Sequence, residues 1–114
     1  MPIHYLEIVT PDQDAVCATY AKAYDVVFSD PIAELGGART VEMSDGSRVG
    51  VRQPMRDDEA PIVRPYMLVD DVDAAIGAAE AAGAEIAIRS MPLPGQGTIA
   101  VFILGGVEHG VWQR

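Results

Sequence analysis

Four sets of side chains, each spaced two residues apart, carry most of the chemistry this sequence offers: Tyr5, Glu7 and Val9; Arg48, Gly50 and Arg52; Arg64, Tyr66 and Leu68; Glu108, Gly110 and Trp112. A period of two places each set on one face of a strand. Arginines pair with carboxylates and similar oxyanions through charge-assisted hydrogen bonds. The rings of Tyr66 and Trp112 provide flat stacking surface, and a glycine leaves room for a ligand to approach backbone. The same charges also suit a structural ion pair, Glu7 with Arg52 or Arg64, and Trp112 equally suits core or subunit-interface packing.

The remaining reactive groups read more plainly. Asp57-Asp58-Glu59 and Asp70-Asp71-Val72-Asp73 suit a solvated loop and a helix entrance, because a hard cation needs oxygen ligands converging from several segments. The single cysteine, Cys17, excludes an intrachain disulfide and any multi-cysteine zinc site, and its helical setting suits a small core residue. No Ser-His-Asp order, nucleophile elbow, phosphate-cradling loop or dinucleotide fingerprint is present; Gly95-Gln96-Gly97 does not follow a strand and open a helix, so it reads as a turn.

The elements that position these groups must come from one small chain of 114 residues. Its hydrophobic content of 49% and charged content of 22% predict an ordered globule with a single core. Eight basic against 17 acidic side chains give a net charge of −9, which repels a phosphate backbone and argues against nucleic acid as a partner. No apolar run is long enough to span a bilayer, and Met1-Pro2-Ile3-His4-Tyr5 lacks the pattern of a signal peptide, so the expected location is cytoplasmic, away from any membrane.

Alternation predicts a strand at Ile3 to Val9, stopped by Thr10-Pro11, and Asp12 is placed to cap a helix running through Ala23. Strands are expected near Val26 to Ser29, Arg39 to Met43 and Arg48 to Arg52, with Asp45-Gly46 as a hairpin turn. Gln53 to Ile62, with two prolines and an acidic run, reads as a linker. The order then repeats: strand at Val63 to Val69, helix from Val72 to Ala82 stopped by Gly83, strand at Glu85 to Arg89, loop at Met91 to Gly97, and strands at Thr98 to Leu104 and Glu108 to Trp112.

Glu7 to Ala15 lies over Tyr66 to Ala74, and Gly46 to Gln53 over Gly106 to Gln113, a nearly constant offset of about 60 residues. Halves of this size are too small to bury a good core alone. The duplicated order, the helix entry Val69-Asp70-Asp71-Val72-Asp73-Ala74-Ala75 followed by Ala82-Gly83-Ala84, the Pro94-Gly95-Gln96-Gly97 loop and the ending Gly110-Val111-Trp112-Gln113 resemble the vicinal oxygen chelate superfamily. That superfamily holds the glyoxalases, bleomycin resistance proteins, extradiol dioxygenases and related epimerases. The resemblance covers essentially the whole chain. It implies an α+β glyoxalase-like fold in which two βαβββ modules, about 1–53 and 63–114 joined by a linker at about 54–62, form curled mixed sheets around a central cavity.

Enzymes of the superfamily hold a divalent metal with His, Gln or Glu side chains from the first and last strands of each module. By position these ligands fall on Tyr5 and Gly50, and on Arg64 and Gly110. Glycine has no side chain, arginine stays protonated and neutral tyrosine is a poor ligand, so the expectation is a member with no metal and no other cofactor. A one-residue slip of both strands would instead present His4 and His109, with Glu7 or Glu108 joining them to hold a divalent metal. Leu6 and Ile8 share His4's face and Val111 shares that of His109, which favours packing and local hydrogen bonding for both histidines.

In the superfamily's register the cavity receives Tyr5, Glu7, Arg48, Arg52, Arg64, Tyr66, Glu108 and Trp112. Of these, Tyr5, Arg52, Arg64, Tyr66, Glu108 and Trp112 are the expected ligand-binding residues, and Glu7 is the catalytic candidate: partly buried, it would move a proton to or from a substrate carbon or hydroxyl while Arg64 or Tyr66 stabilised the oxyanion. The expected function is binding of a small aromatic or carboxylated molecule in the cavity between the modules, as in the bleomycin resistance branch. The alternative is a small lyase or isomerase related to glyoxalase, metal-dependent or metal-free, with carbon–oxygen or carbon–sulfur chemistry. A homodimer is expected in either case, since open curled sheets leave edges that a second chain covers. Tyr20 and Tyr24 read as packing residues.

Overall fold

The structure, a computed structural model, describes residues 1–114. Seven strands and two helices give an α+β chain with both parallel and antiparallel ladders. They gather into two compact units, one of Leu6–Val63, the other of Met1–Tyr5 together with Arg64–Arg114. The first strand, β1 (Ile3–Val9), begins in one unit and continues into the other.

In the Leu6–Val63 unit, helix α1 (Gln13–Tyr24) lies beside strands β2 (Arg39–Glu42) and β3 (Arg48–Arg52). The antiparallel register pairs Thr40 with Gly50 and Val41 with Val49. Alternation then sends Val41, Val49 and Val51 toward α1, where they form a core with Cys17 and Phe28, flanked by Leu6, Ile8, Val16 and Tyr20. The opposite face keeps Glu7 and Val9 on β1, and Gly50 and Arg52 on β3. The hairpin turn forms as the sequence predicts: Gly46 has φ +86, and Met43 N–H donates to the Ser47 carbonyl at 2.7 Å.

Three local expectations in this unit are corrected by the structure. Asp12 occupies the N-cap position of α1, but its side chain makes no capping bond; its own N–H is taken by Thr10 Oγ1 at 3.1 Å, because the Thr10-Pro11 turn sets it in a different conformation. Val26 to Ser29 is not a strand. Ser29 N–H donates to the Thr40 carbonyl, but Thr40 N–H is answered by the Ser29 hydroxyl rather than by backbone, so the ladder stops after one bond. Tyr24 is largely exposed, touching Tyr20 edge-on, whereas Tyr20 also meets Phe28.

In the other unit, strand β4 (Ile62–Leu68) is joined from Arg64 onward and pairs in parallel with β7 (Val107–Gln113). Strand β6 (Gly97–Leu104) lies antiparallel to β7, and β5 (Glu85–Leu93) antiparallel to β6, giving the order β4, β7, β6, β5. Helix α2 (Val72–Ala81) covers one face through Val72 and Ile76, packed on Ala100 and Val111 with Met67, Ile86 and Phe102 around them. The acidic run read as a helix entrance supplies its N-cap, Ala74 N–H donating to Asp71 Oδ1 at 3.1 Å, and Val72 N–H also donates to Gln113 Oε1 at 2.8 Å, a contact the sequence does not reveal. Strand β5 runs four residues past its expected end at Arg89, so Met91 to Leu93 is strand rather than loop. Pro92 is tolerated because β5 is an edge strand, and register shifts between Ile86, Ile88 and Met91 absorb the extra residues.

Candidate functional site

In the unit holding Met1–Tyr5 and Arg64–Arg114, the face of the sheet away from α2 carries Arg64, Tyr66 and Leu68 on β4 and Glu108, Gly110 and Trp112 on β7. The parallel register sets Tyr66 beside Gly110 and Leu68 beside Trp112. Tyr5 stacks on Trp112 with ring centroids 4.9 Å apart and planes 27° apart. Tyr66 meets both edge-on, at 6.1 and 5.7 Å, and His4 meets Trp112 edge-on at 5.4 Å. These are favourable aromatic geometries, and Tyr5, Tyr66 and Trp112 are buried.

The room that Gly110 leaves is occupied. A Cβ there would lie 2.6 and 2.7 Å from Cε2 and Cγ of Tyr66, so the ring rests directly on the β7 backbone. The glycine admits Tyr66 rather than an external ligand, which corrects the expectation drawn from its small size. Trp112 Nε1 donates to the Gln96 carbonyl at 3.0 Å and thereby holds the turn between β5 and β6. Gly97 is required at that turn: its φ is +124, and a Cβ would lie 2.8 Å from Trp112 Nε1. Arg64 Nη2 donates to Glu108 Oε1 at 2.8 Å; the arginine side chain is 9% exposed and the glutamate 38%. This pair therefore has one desolvated partner and one at the rim.

In the Leu6–Val63 unit a second cluster surrounds Arg52, which is 5% exposed. Its Nε donates to Glu7 Oε2 at 2.9 Å, so the Glu7–Arg52 ion pair that the sequence suggested forms. The other edge of the guanidinium is taken by Glu59: Nη1 donates to Oε1 at 3.0 Å and Nη2 to Oε2 at 2.8 Å. Nη1 also reaches the Gln53 carbonyl, and Glu59 Oε1 accepts from Met55 N–H at 2.7 Å. Side-chain hydrogen bonds from Arg52 bring the Glu59 carboxyl down to about 2. Burial works against the Arg52 charge, but the Glu59 and Glu7 carboxylates outweigh it and raise the guanidinium above its ordinary range.

Glu59 is one of two residues that sequence reasoning missed. Within Asp57-Asp58-Glu59 the two aspartates are exposed, as a solvated run should be, while the Glu59 side chain is only 10% exposed. The available signal was Arg52 itself, since a buried guanidinium has two edges to satisfy and Glu7 covers one. Gln13 was missed too. It is buried at the start of α1, and its Nε2 donates to the carbonyls of Val51 at 2.8 Å and Gly37 at 2.9 Å. Cys17 is buried on the core-facing side of α1, where burial pushes its thiol up, away from nucleophilic use.

The residues at the metal positions implied by the resemblance do not fit a divalent ion. Tyr5 is stacked on Trp112, Arg64 is bonded to Glu108, the Cβ space of Gly110 holds the Tyr66 ring, and Gly50 has no side chain. The two histidines are engaged elsewhere. His109 stacks on Phe102 at 5.2 Å, and its Nε2 lies 3.3 Å from the Leu104 carbonyl, on the face where α2 packs; His4 lies against Trp112. No three His, Cys, Asp or Glu side chains gather into a metal-ligand group.

The two helices and the mixed parallel and antiparallel ladders give a glyoxalase-like α+β fold. No family model matches the sequence, and no curated protein matches it. Solved structures do. A hypothetical protein from Bacillus halodurans superposes with a TM-score of 0.77 at 11% identity, over 99% of this chain and 94% of that one. Methylmalonyl-CoA epimerase from Mycobacterium tuberculosis gives 0.75 at 15% identity, over 97% and 86%. A variant of Streptomyces coelicolor methylmalonyl-CoA epimerase in complex with 2-nitronate-propionyl-CoA gives 0.71 at 20% identity, over 99% and 94%. No helix of this chain is long and apolar enough to cross a membrane.

Proposed function

We propose that this chain binds a small organic acid, aromatic or acyl in character, on the α2-free face of the sheet formed by β4 and β7, without a metal. The observation that carries the reading is Arg64. Its guanidinium is desolvated on the same strand face as Tyr66, and its partner Glu108 stands at the rim. A buried cation beside aromatic surface is a recurring means of recognising a carboxylate that bears an apolar body. In this reading Arg64 binds the carboxylate, Tyr5, Tyr66 and Trp112 support the apolar portion, and Glu108 yields or bridges. The proposal includes a homodimer in the cytoplasm, checked by light scattering and cell fractionation.

Trp112 is the single tryptophan, so its emission reports on this face. Titration with benzoate, propionate and methylmalonate should give a saturable change that Arg64→Leu removes. Absence of any response, in fluorescence and in thermal stability, would overturn the reading.

A second reading, an isomerase in which Glu7 moves a proton at the carbon next to a carbonyl, is supported by the likeness to methylmalonyl-CoA epimerases and by the burial of Glu7. Its test is exchange of the substrate α-proton for deuterium in heavy water, followed by NMR on methylmalonyl-CoA. Exchange that Glu7→Gln abolishes supports it; no exchange with the wild type refutes it.

A further inference from the structure

Arg52 is held as an arginine in a carboxylate-recognition site is held, yet the carboxylate on it belongs to the chain itself. One edge of the guanidinium is fixed by Glu7 at 2.9 Å, which sets its orientation. The other edge presents two parallel N–H donors, and Glu59 accepts both at 3.0 and 2.8 Å, the fork geometry by which arginine selects planar carboxylates. The residue supplying that carboxylate lies in a surface loop whose other side chains are mostly turned outward: Gln53, Met55, Arg56, Asp57, Asp58 and Ala60 are all exposed. The Glu59 side chain, by contrast, is 10% exposed, and Met55 N–H bonds to the same carboxylate.

A structural ion pair made between two regular elements would be fixed by the packing of both. Here the basic partner sits at the end of β3, in the sheet, and the acidic partner is carried by a loop with no strand or helix of its own between Arg52 and Ile62. The asymmetry is that of a built receptor and a tethered occupant.

We propose that Arg52, oriented by Glu7, is a carboxylate-binding site occupied in cis by Glu59, and that an organic carboxylate entering the site displaces Glu59 and frees the loop at 53–61. This is independent of the Arg64 reading and concerns a different unit of the chain. A short tether gives an internal carboxylate an effective concentration on the order of millimolar, so the wild type resists simple acids, and a physiological ligand must add contacts beyond its carboxylate. A ligand that binds the folded state raises its stability by mass action, which makes the site measurable without knowing that ligand.

The experiment is chemical rescue in the full chain. Glu59→Ala empties the fork, and its melting temperature is followed against sodium acetate and sodium benzoate, with sodium chloride at matched ionic strength as the control. The Arg52 Nε–H resonance is followed in parallel by NMR. The expected result is a saturable rise in melting temperature and a shift of that resonance with carboxylate but not chloride, with the wild type needing at least about tenfold more carboxylate because Glu59 competes. Arg52→Lys combined with Glu59→Ala should lose the response, while Arg64→Leu combined with Glu59→Ala should keep it. A response equal in chloride, or equal in the Arg52→Lys double variant, would overturn the proposal and leave Glu59 a structural tether only. Should Glu59→Ala fail to fold, the same titration is run on Glu59→Gln, whose neutral amide is a weaker competitor: a carboxylate-specific shift supports the site, and a response equal in chloride overturns it.

Discussion

Tyr66 lies on Gly110 across the parallel ladder, its ring carbons within 2.7 Å of where a Cβ would be. The consequence is a steric dependence between two positions that neither residue reveals alone. Gly110→Ala should destabilise the chain by about 1–3 kcal/mol, the ordinary result of forcing a methyl into a filled space. Adding Tyr66→Ala to it should cost less than the two single losses together, since the small side chain removes the clash. Urea denaturation of the four proteins in this cycle measures the coupling; strict additivity would mean that the ring moves aside freely.

Glu59 makes stability depend on pH in a definite direction. Its carboxyl is lowered from 4.5 to about 2 by Arg52, so the contribution is fully present above about pH 4.5 and is lost as pH falls toward 2. Denaturation midpoints of wild type and Glu59→Gln should differ most at neutral pH and converge between pH 4.5 and 2. A gap that persisted unchanged at the acid end would mean that the charge of Glu59 contributes nothing.

Gln13 ties the first turn of α1 to β3 through two carbonyls. Gln13→Ala leaves both acceptors without their donor and should cost about 1–3 kcal/mol. Gln13→Glu should be worse at neutral pH than in acid, because a carboxylate would face two carbonyl oxygens. Its folded-state pKa would rise, so the penalty is absent at low pH and grows as pH climbs past the unfolded glutamate value. Melting curves at pH 4 and pH 7 separate the two variants.

The set of side chains at the expected metal positions predicts little metal in protein purified without chelator, and no change in melting temperature on adding EDTA. Elemental mass spectrometry checks the first point and calorimetry the second. Near-stoichiometric metal would instead direct mutagenesis to His4 and His109.

The period-two alternation at Ile3 to Val9 and the offset repeat of the helix entries are enough to read the fold, because each strand face and each helix start is set by local pattern. The faces carrying Glu7, Arg52, Arg64 and Trp112 follow from the same pattern. What is not legible depends on pairing partners distant in sequence. Nothing local distinguishes Glu59 from Asp58 beside it, or shows that Thr40 N–H will choose the Ser29 hydroxyl over a ladder partner. The far end of β5 escapes a sequence reading because Pro92 normally argues against a strand, and only edge position makes it acceptable.

Strand β5 also has a bearing on how this protein behaves in a crowded solution. An exposed sheet edge is a template on which other chains can assemble into insoluble fibres. This one changes register twice, between Ile86 and Ile88 and between Ile88 and Met91, and carries Glu85, Arg89 and Pro92 along its length. A straight incoming strand meets a bent ladder, charged side chains and a proline. The irregularity that obscures β5 in the sequence thus disfavours the addition of a further strand at that edge.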